Sequence, residues 1–176
     1  MIDFNRNHFE LFGLPARYRF DAGALDRAYH ALQSEVHPDR HAASDDASRR
    51  VAVQSSARVN EAYRALRDPV SRAQYLLSLH GIDAADETDT SLSFDFLERQ
   101  LERREEAAGA AAARDVAALE AALRDVRAEA RQLEGELEAL LDAKGDWETA
   151  RGKVRELKFL DKMAADLDAM LGALDE

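Results

Sequence analysis

Apolar residues in this chain recur at steps of three and four over most of its length, and the interruptions mark where one helix stops and the next begins. His8 to Phe12 reads as a short helix closed by Gly13-Leu14-Pro15, with glycine suited to a left-handed stop and proline unable to continue. Asp21 is placed to cap a second helix. Its Leu25, Ala28, Leu32 and Val36 form one apolar face, while Arg27, Gln33 and Glu35 lie elsewhere. The helix is expected to end near Val36, because Pro38 pushes the residue before it out of the helical region.

Residues 41 to 48, HAASDDAS, read as a loop that delivers a Ser or Asp cap to a third helix running to about Arg67. Val51, Val59, Ala62, Tyr63 and Leu66 fall near one face of it, so it is expected to pack antiparallel on the second helix. Asp68-Pro69 is a cap followed by proline at the first helical position, and Gly81 closes the resulting helix, 69 to 80.

The pattern then changes. IDAADETDTS, from residue 82, is acidic and polar, which divides the chain into 1–81, a linker 82–92 and a second helical region 93–176. Phe94, Leu97 and Leu101 share a face of the first helix there, and Gly109 offers a break. Val116, Leu119, Leu123, Val126, Ala130, Leu133, Leu137 and Leu140 make a coiled-coil-like seam. Lys144-Gly145-Asp146 supplies a stop and a new cap, and Ala150, Val154, Leu157, Leu160, Met163, Leu167, Leu171 and Leu174 make a matching seam. The spacing predicts an antiparallel hairpin on which residues 93 to 107 pack as the third member of a bundle.

Composition agrees with an all-α chain: 8 Gly and 3 Pro in 176 residues leave helix formers dominant, and 46% apolar content can supply a core to each unit. The formal charge of -11 repels phosphate backbones and anionic lipid headgroups, so neither nucleic acid nor membrane is the expected partner. Without cysteine there is no disulfide, thiolate nucleophile or cysteine metal ligand. MIDFNRNHFELFGL has charges among its apolar residues, unlike a secretory signal, and the cytoplasm is the expected location.

One stretch, SEVHPDRHA at 34 to 42, invites a chemical reading. His37-Pro38-Asp39 alone is a helix terminator, with proline stopping the helix and aspartate turning the loop. His37, Asp39 and His41 are also possible ligands of a hydrolytic metal, although one loop supplies only part of such a site. His8, His30 and His80 are isolated and read as surface or half-buried helix residues.

NHFELFGL at 7 to 14, HPDR at 37 to 40 and NEAYRALRDPVSRAQY at 60 to 75 stand in an order and spacing that resemble the J-domain of DnaJ-type co-chaperones. YLLSLHG at 75 to 81, FLERQLERREE at 96 to 106 and RELKFLDKM at 155 to 163 are similar to the iron-sulfur-cluster assembly co-chaperones of the HscB family. The resemblance covers nearly the whole chain. It implies a J-domain over 1–81 and a client-binding three-helix domain over 93–176. Some eukaryotic relatives carry a cysteine-based zinc segment that a chain without Cys cannot have, so the resemblance implies the bacterial type.

A protein of this kind is a co-chaperone, with no catalytic residues, metal or cofactor of its own. By resemblance it docks on a DnaK-class ATPase chaperone, HscA, through His37, Pro38, Asp39, Arg40 and Arg27, and speeds ATP hydrolysis there. The demand is rigid presentation: proline restricts the backbone, and Asp39 offers a carboxylate to a basic residue of the partner. Arg40 keeps the charge of the family's usual lysine with a different donor geometry. The second helix is only weakly basic, with Arg27, His30 and Arg40 set against Asp26 and Glu35, which favours a dedicated partner over long-range steering.

The resemblance also maps binding of the scaffold protein IscU onto Leu97, Leu101, Glu102, Arg104, Glu105 and Phe159. Glu98 stands where relatives are expected to be apolar. Phe159 lies off the centre of the last seam, so an exposed aromatic beside Leu97 and Leu101 would suit a small interface with a charged rim. The competing expectations are that Leu97 and Leu101 are ordinary core contacts, that the run from Glu102 to Glu106 is a solvated face, and that the whole chain is a passive helical adaptor.

Overall fold

The computed structural model describes residues 3–36, 45–84 and 92–174. All regular structure among them is helical, and the chain divides into two compact units, Met1–Leu79 and His80–Glu176.

In the first unit α1 (His8–Leu11) is closed by a capping box, in which Asn7 accepts from the Glu10 N–H and the Glu10 carboxylate accepts from the Asn7 N–H. Gly13 follows at φ 65°, a left-handed position that costs glycine nothing. The Asp21 side chain accepts from the Gly23 N–H at the start of α2 (Ala22–Val36). Asp45 caps α3 (Asp46–Arg67) by accepting from Ser48 at 2.7 Å, and Asp68 caps α4 (Pro69–Leu79) in the same way through Ser71.

Helices α2 and α3 form the antiparallel hairpin that the spacing predicted, with Asp26 opposite Tyr63, Tyr29 opposite Asn60 and Gln33 opposite Ser56. The buried face of α3 is Ala52, Ser55, Val59, Ala62 and Leu66. Val51, expected on that face, is exposed, because the row through Val59 and Leu66 falls one position later along the helix.

His8 is also a correction. It is 4% exposed: its ring stacks on Tyr75 with centroids 4.0 Å apart, and its backbone N–H donates to the Tyr75 hydroxyl at 2.9 Å. These contacts tie the short α1 to α4. Burial pulls the His8 pKa down, Arg58 pulls it further down, and Glu61 opposes them.

The second unit is a three-helix bundle of α5 (Phe94–Ala112), α6 (Val116–Glu138) and α7 (Trp147–Gly172). The α6 seam is buried from Leu119 to Leu137 and the α7 seam from Ala150 to Leu167, as the heptad-like spacing requires. Val116 is exposed, and Leu171 and Leu174 are only half-buried, since seam ends have no partner turn beyond them. Between α6 and α7 the spacing missed a π-helical segment, Ala139–Lys144, which buries Leu140 and Leu141 before Gly145 (φ 65°) stops it. Asp146 then caps α7 by accepting from Thr149.

Gly109 does not break α5. The helix runs to Ala112 and turns at Arg114, whose φ of 52° is held while its guanidinium donates to the Leu174 carbonyl.

Candidate functional site

Two regions carried functional expectations, one in each unit. In the first unit His37, Pro38, Asp39, Arg40 and His41 lie outside the described residues, so the structure bears on the hairpin that carries them. Among the described residues no group of three His, Cys, Asp or Glu side chains could hold a metal ion. Arg27 donates to Asp21 at 3.1 Å, and both side chains are largely exposed. Desolvation is the largest single influence and raises the Asp21 pKa, but the Arg27 bond and charge and the Gly23 and Ala24 N–H groups together outweigh it and hold the carboxyl below its ordinary value. The cation expected to serve docking is therefore already engaged at the start of its own helix, although an exposed pair of this kind is weak and exchangeable.

The hairpin itself is tied by polar side chains that sequence reasoning did not pick out. Tyr29 and Tyr63 stack with centroids 4.0 Å apart, and Tyr63 donates to Asp26 at 2.8 Å while the Arg67 guanidinium lies 5.5 Å from its ring centroid. The hydrogen bond to Asp26 raises the Tyr63 pKa. Asn60 Oδ1 accepts from the Tyr29 hydroxyl and from Gln33 Nε2. In the sequence Tyr63 reads as a packing position and a member of the family motif, and Asn60 as a member of that motif alone.

In the second unit the structure decides between the two readings of α5. Its core face is Phe96, Gln100 and Ala107, not Phe94, Leu97 and Leu101. Phe96 is 1% exposed, whereas Phe94, Leu97 and Leu101 are 76%, 42% and 60% exposed. The expectation that Leu97 and Leu101 are core contacts is therefore wrong: they form an outward apolar stripe at the i, i+3, i+7 spacing. Phe94 belongs to that stripe but is not among the site residues expected from the sequence, although its three-residue spacing from Leu97 could have placed it there. Such a stripe on the outside of a bundle is a candidate interaction surface.

Glu102 and Glu105 are exposed on the same helix. Arg104 donates to Asp166 of α7 at 3.2 Å, so it braces α5 on α7 as well as lying at the edge of the stripe. Its neighbour Arg103 pairs with Glu129 of α6 and donates to the buried Gln100. Phe159 is half-buried rather than exposed, and its ring meets Phe96 edge-to-face at 5.7 Å. Phe96 thus joins the bundle core to the one aromatic of α7 assigned to the site. The chemistry offered is non-covalent: an apolar anchor row with a carboxylate-rich surround.

Comparison with known proteins bears on both units. A family model described as the DnaJ domain matches residues 7–75, and one described as the HSCB C-terminal oligomerisation domain matches residues 93–168. The chain is 46% identical over 175 residues to a co-chaperone protein HscB homolog of Burkholderia multivorans, covering 99% of each chain. Among solved structures, chaperone HscB from Vibrio cholerae superposes with a TM-score of 0.87 at 38% identity, over 96% of this chain and 99% of that one. The crystal structure of human co-chaperone protein HscB gives a TM-score of 0.88 at 27% identity, over 95% of this chain and 83% of that one.

Proposed function

The chain belongs to the HscB family of J-domain co-chaperones, and from that premise we propose that it stimulates ATP hydrolysis by HscA and delivers the scaffold protein IscU to it during iron-sulfur cluster assembly. A J-domain co-chaperone works with an Hsp70 chaperone, and this family is one of co-chaperones rather than of catalysts. Among the described residues no helix is long and apolar enough to cross a membrane, and the cytoplasm is the location we propose.

The observation that carries the client half of the proposal is the outward stripe of Phe94, Leu97 and Leu101 on a helix whose opposite side fills the core. Stable bundles seldom leave three large apolar side chains in a row facing water unless something covers them. Phe159 is fixed beside the core by Phe96, so it contributes area with little side-chain freedom left to lose on binding. Glu102 and Glu105 supply a negative rim that selects for basic groups around an apolar socket on the client.

The chaperone half rests on the hairpin. In this reading α2 and α3 flank the 37–44 segment, Pro38 limits its backbone, and His37 and Asp39 meet the ATPase chaperone. Arg27 and Arg40 add electrostatic contacts at its edge.

The test is two measurements on the full chain. Stimulation of HscA ATP hydrolysis in single turnover should disappear in His37→Gln, with helicity unchanged by circular dichroism. Calorimetric titration with IscU should lose at least about tenfold in affinity when Leu97 and Leu101 are changed to Ala together. Stimulation that survives His37→Gln removes the loop from the mechanism, and unchanged titration removes the stripe.

A further inference from the structure

Segment 37–44 follows α2 in sequence, and beside the buried Val36 the last turns of α2 are held on α3 by polar side chains. On α2 only Leu25 and Val36 are buried, and the α3 residues nearest the loop that face inward are the small Ala52 and Ser55. Small apolar contacts bring helices together but resist sliding and rotation poorly, because few side chains interdigitate. Directional bonds supply what they lack.

Those bonds converge on one atom. Asn60 Oδ1 accepts from the Tyr29 hydroxyl at 3.0 Å and from Gln33 Nε2, and so uses both lone pairs of the amide oxygen. Gln33 Nε2 also reaches the Tyr29 hydroxyl at 3.3 Å, closing a triangle, and Gln33 Oε1 faces the Ser56 hydroxyl at 3.5 Å. Gln33 stands four residues, about one helical turn, before His37. The triangle thus spans from the middle of the hairpin to the turn that bears the loop.

We infer that Asn60, with Tyr29 and Gln33, is a positioning element for the His37-Pro38-Asp39 segment, setting the axial register of α2 on α3 and thereby how the loop meets the ATPase chaperone. This deepens the chaperone half of the function proposed above and rests on it. Asn60 acts through Gln33 and need not touch the partner. Its role is that of an acceptor with two lone pairs in one direction, which a carboxylate reproduces and an alkyl group does not.

The test compares the wild type, Asn60→Leu, Asn60→Asp and His37→Gln as full chains in titrations of a DnaK-class chaperone, reading ATP hydrolysis against co-chaperone concentration. A positioning role lowers the plateau of stimulation about three- to tenfold in Asn60→Leu, while the half-saturating concentration stays within about twofold. Asn60→Asp restores the plateau to within about twofold of wild type. A lost docking contact instead moves half-saturation and leaves the plateau. A merely structural role moves the melting temperature of both variants and neither kinetic term at 25 °C. Either of those patterns overturns the inference.

Should Asn60→Leu fail to fold, Gln33→Met breaks the same triangle from α2 while leaving α3 intact, and an unchanged plateau in it overturns the inference equally. A wild type that stimulates nothing overturns the function on which the inference rests. A wild type that stimulates, with His37→Gln inert and Asn60→Leu at full plateau, overturns the inference alone.

Discussion

The molecule contains two antiparallel helix hairpins built on different principles. Between α6 and α7 six buried side chains on each helix face one another, from Leu119 to Leu137 and from Ala150 to Leu167, most of them leucine or valine. In the α2–α3 hairpin α2 buries fully only Leu25 and Val36, and Tyr29, Gln33, Asn60, Tyr63 and Asp26 add hydrogen bonds and a stacked ring pair. An interdigitated seam gains stability in proportion to area and tolerates a polar exterior of any kind. A bonded hairpin gains little net energy per bond, about 0.5–1.5 kcal/mol, but fixes one geometry. The first arrangement suits a scaffold that displays a surface, and the second suits a hairpin whose end must be aimed. Charge follows the same division: cations and anions nearly balance in residues 1–79, while anions far exceed cations in residues 80–176.

The contrast is broken most severely inside the bundle. Phe96→Ala removes a fully buried ring and the support of Phe159, and is expected to cost the second unit about 3–5 kcal/mol, read as a lower denaturant midpoint. Leu157→Ala opens the seam itself at a cost of about 2–5 kcal/mol and should leave ATPase stimulation intact at temperatures where the bundle still folds.

A smaller effect, confined to the first unit, comes from His8. Its pKa is lowered in the folded state, so the unfolded chain binds more protons whenever His8 titrates. Its contribution to stability is complete above the unfolded value of about 6.5 and falls away as pH drops below it. Thermal melts at pH 7.5 and 5.0 should show that unit losing stability at the lower pH, and His8→Phe should blunt the loss. An equal loss in that variant assigns the acid sensitivity to other groups. The smallest expected effect on stability sharpens the comparison within α5: Leu101→Ala should shift the melt by no more than about 0.5 kcal/mol, in contrast to Phe96→Ala on the opposite face of the same helix.

The candidate surface was legible only in part. Its residues Leu97 and Leu101 stood out as an apolar pair, yet a pair at a four-residue step is equally a core contact. α5 carries two apolar rows, one through Phe94, Leu97 and Leu101 and one through Phe96 and Ala107, and periodicity cannot rank them when the buried row includes a glutamine. The presence of Gln100 in the core disguised the inward face. Phe159 was recognised as lying off its seam, but its edge-to-face contact with Phe96 joins residues 63 positions apart, which no local pattern encodes.

What the chain determined unaided were features set by neighbours in sequence: the helices and their order, the caps at Asp45, Asp68 and Asp146, the left-handed glycines at 13, 81 and 145, and the two leucine seams. Each follows from backbone sterics, a side chain within three residues, or a repeat that matches the helical turn. Tertiary structure alone decided which row of α5 meets water, that His8 is buried against Tyr75, and that one oxygen of Asn60 receives both Tyr29 and Gln33. Those outcomes depend on partners brought together across dozens of residues, where a polar side chain finds its hydrogen bonds only after the helices have packed.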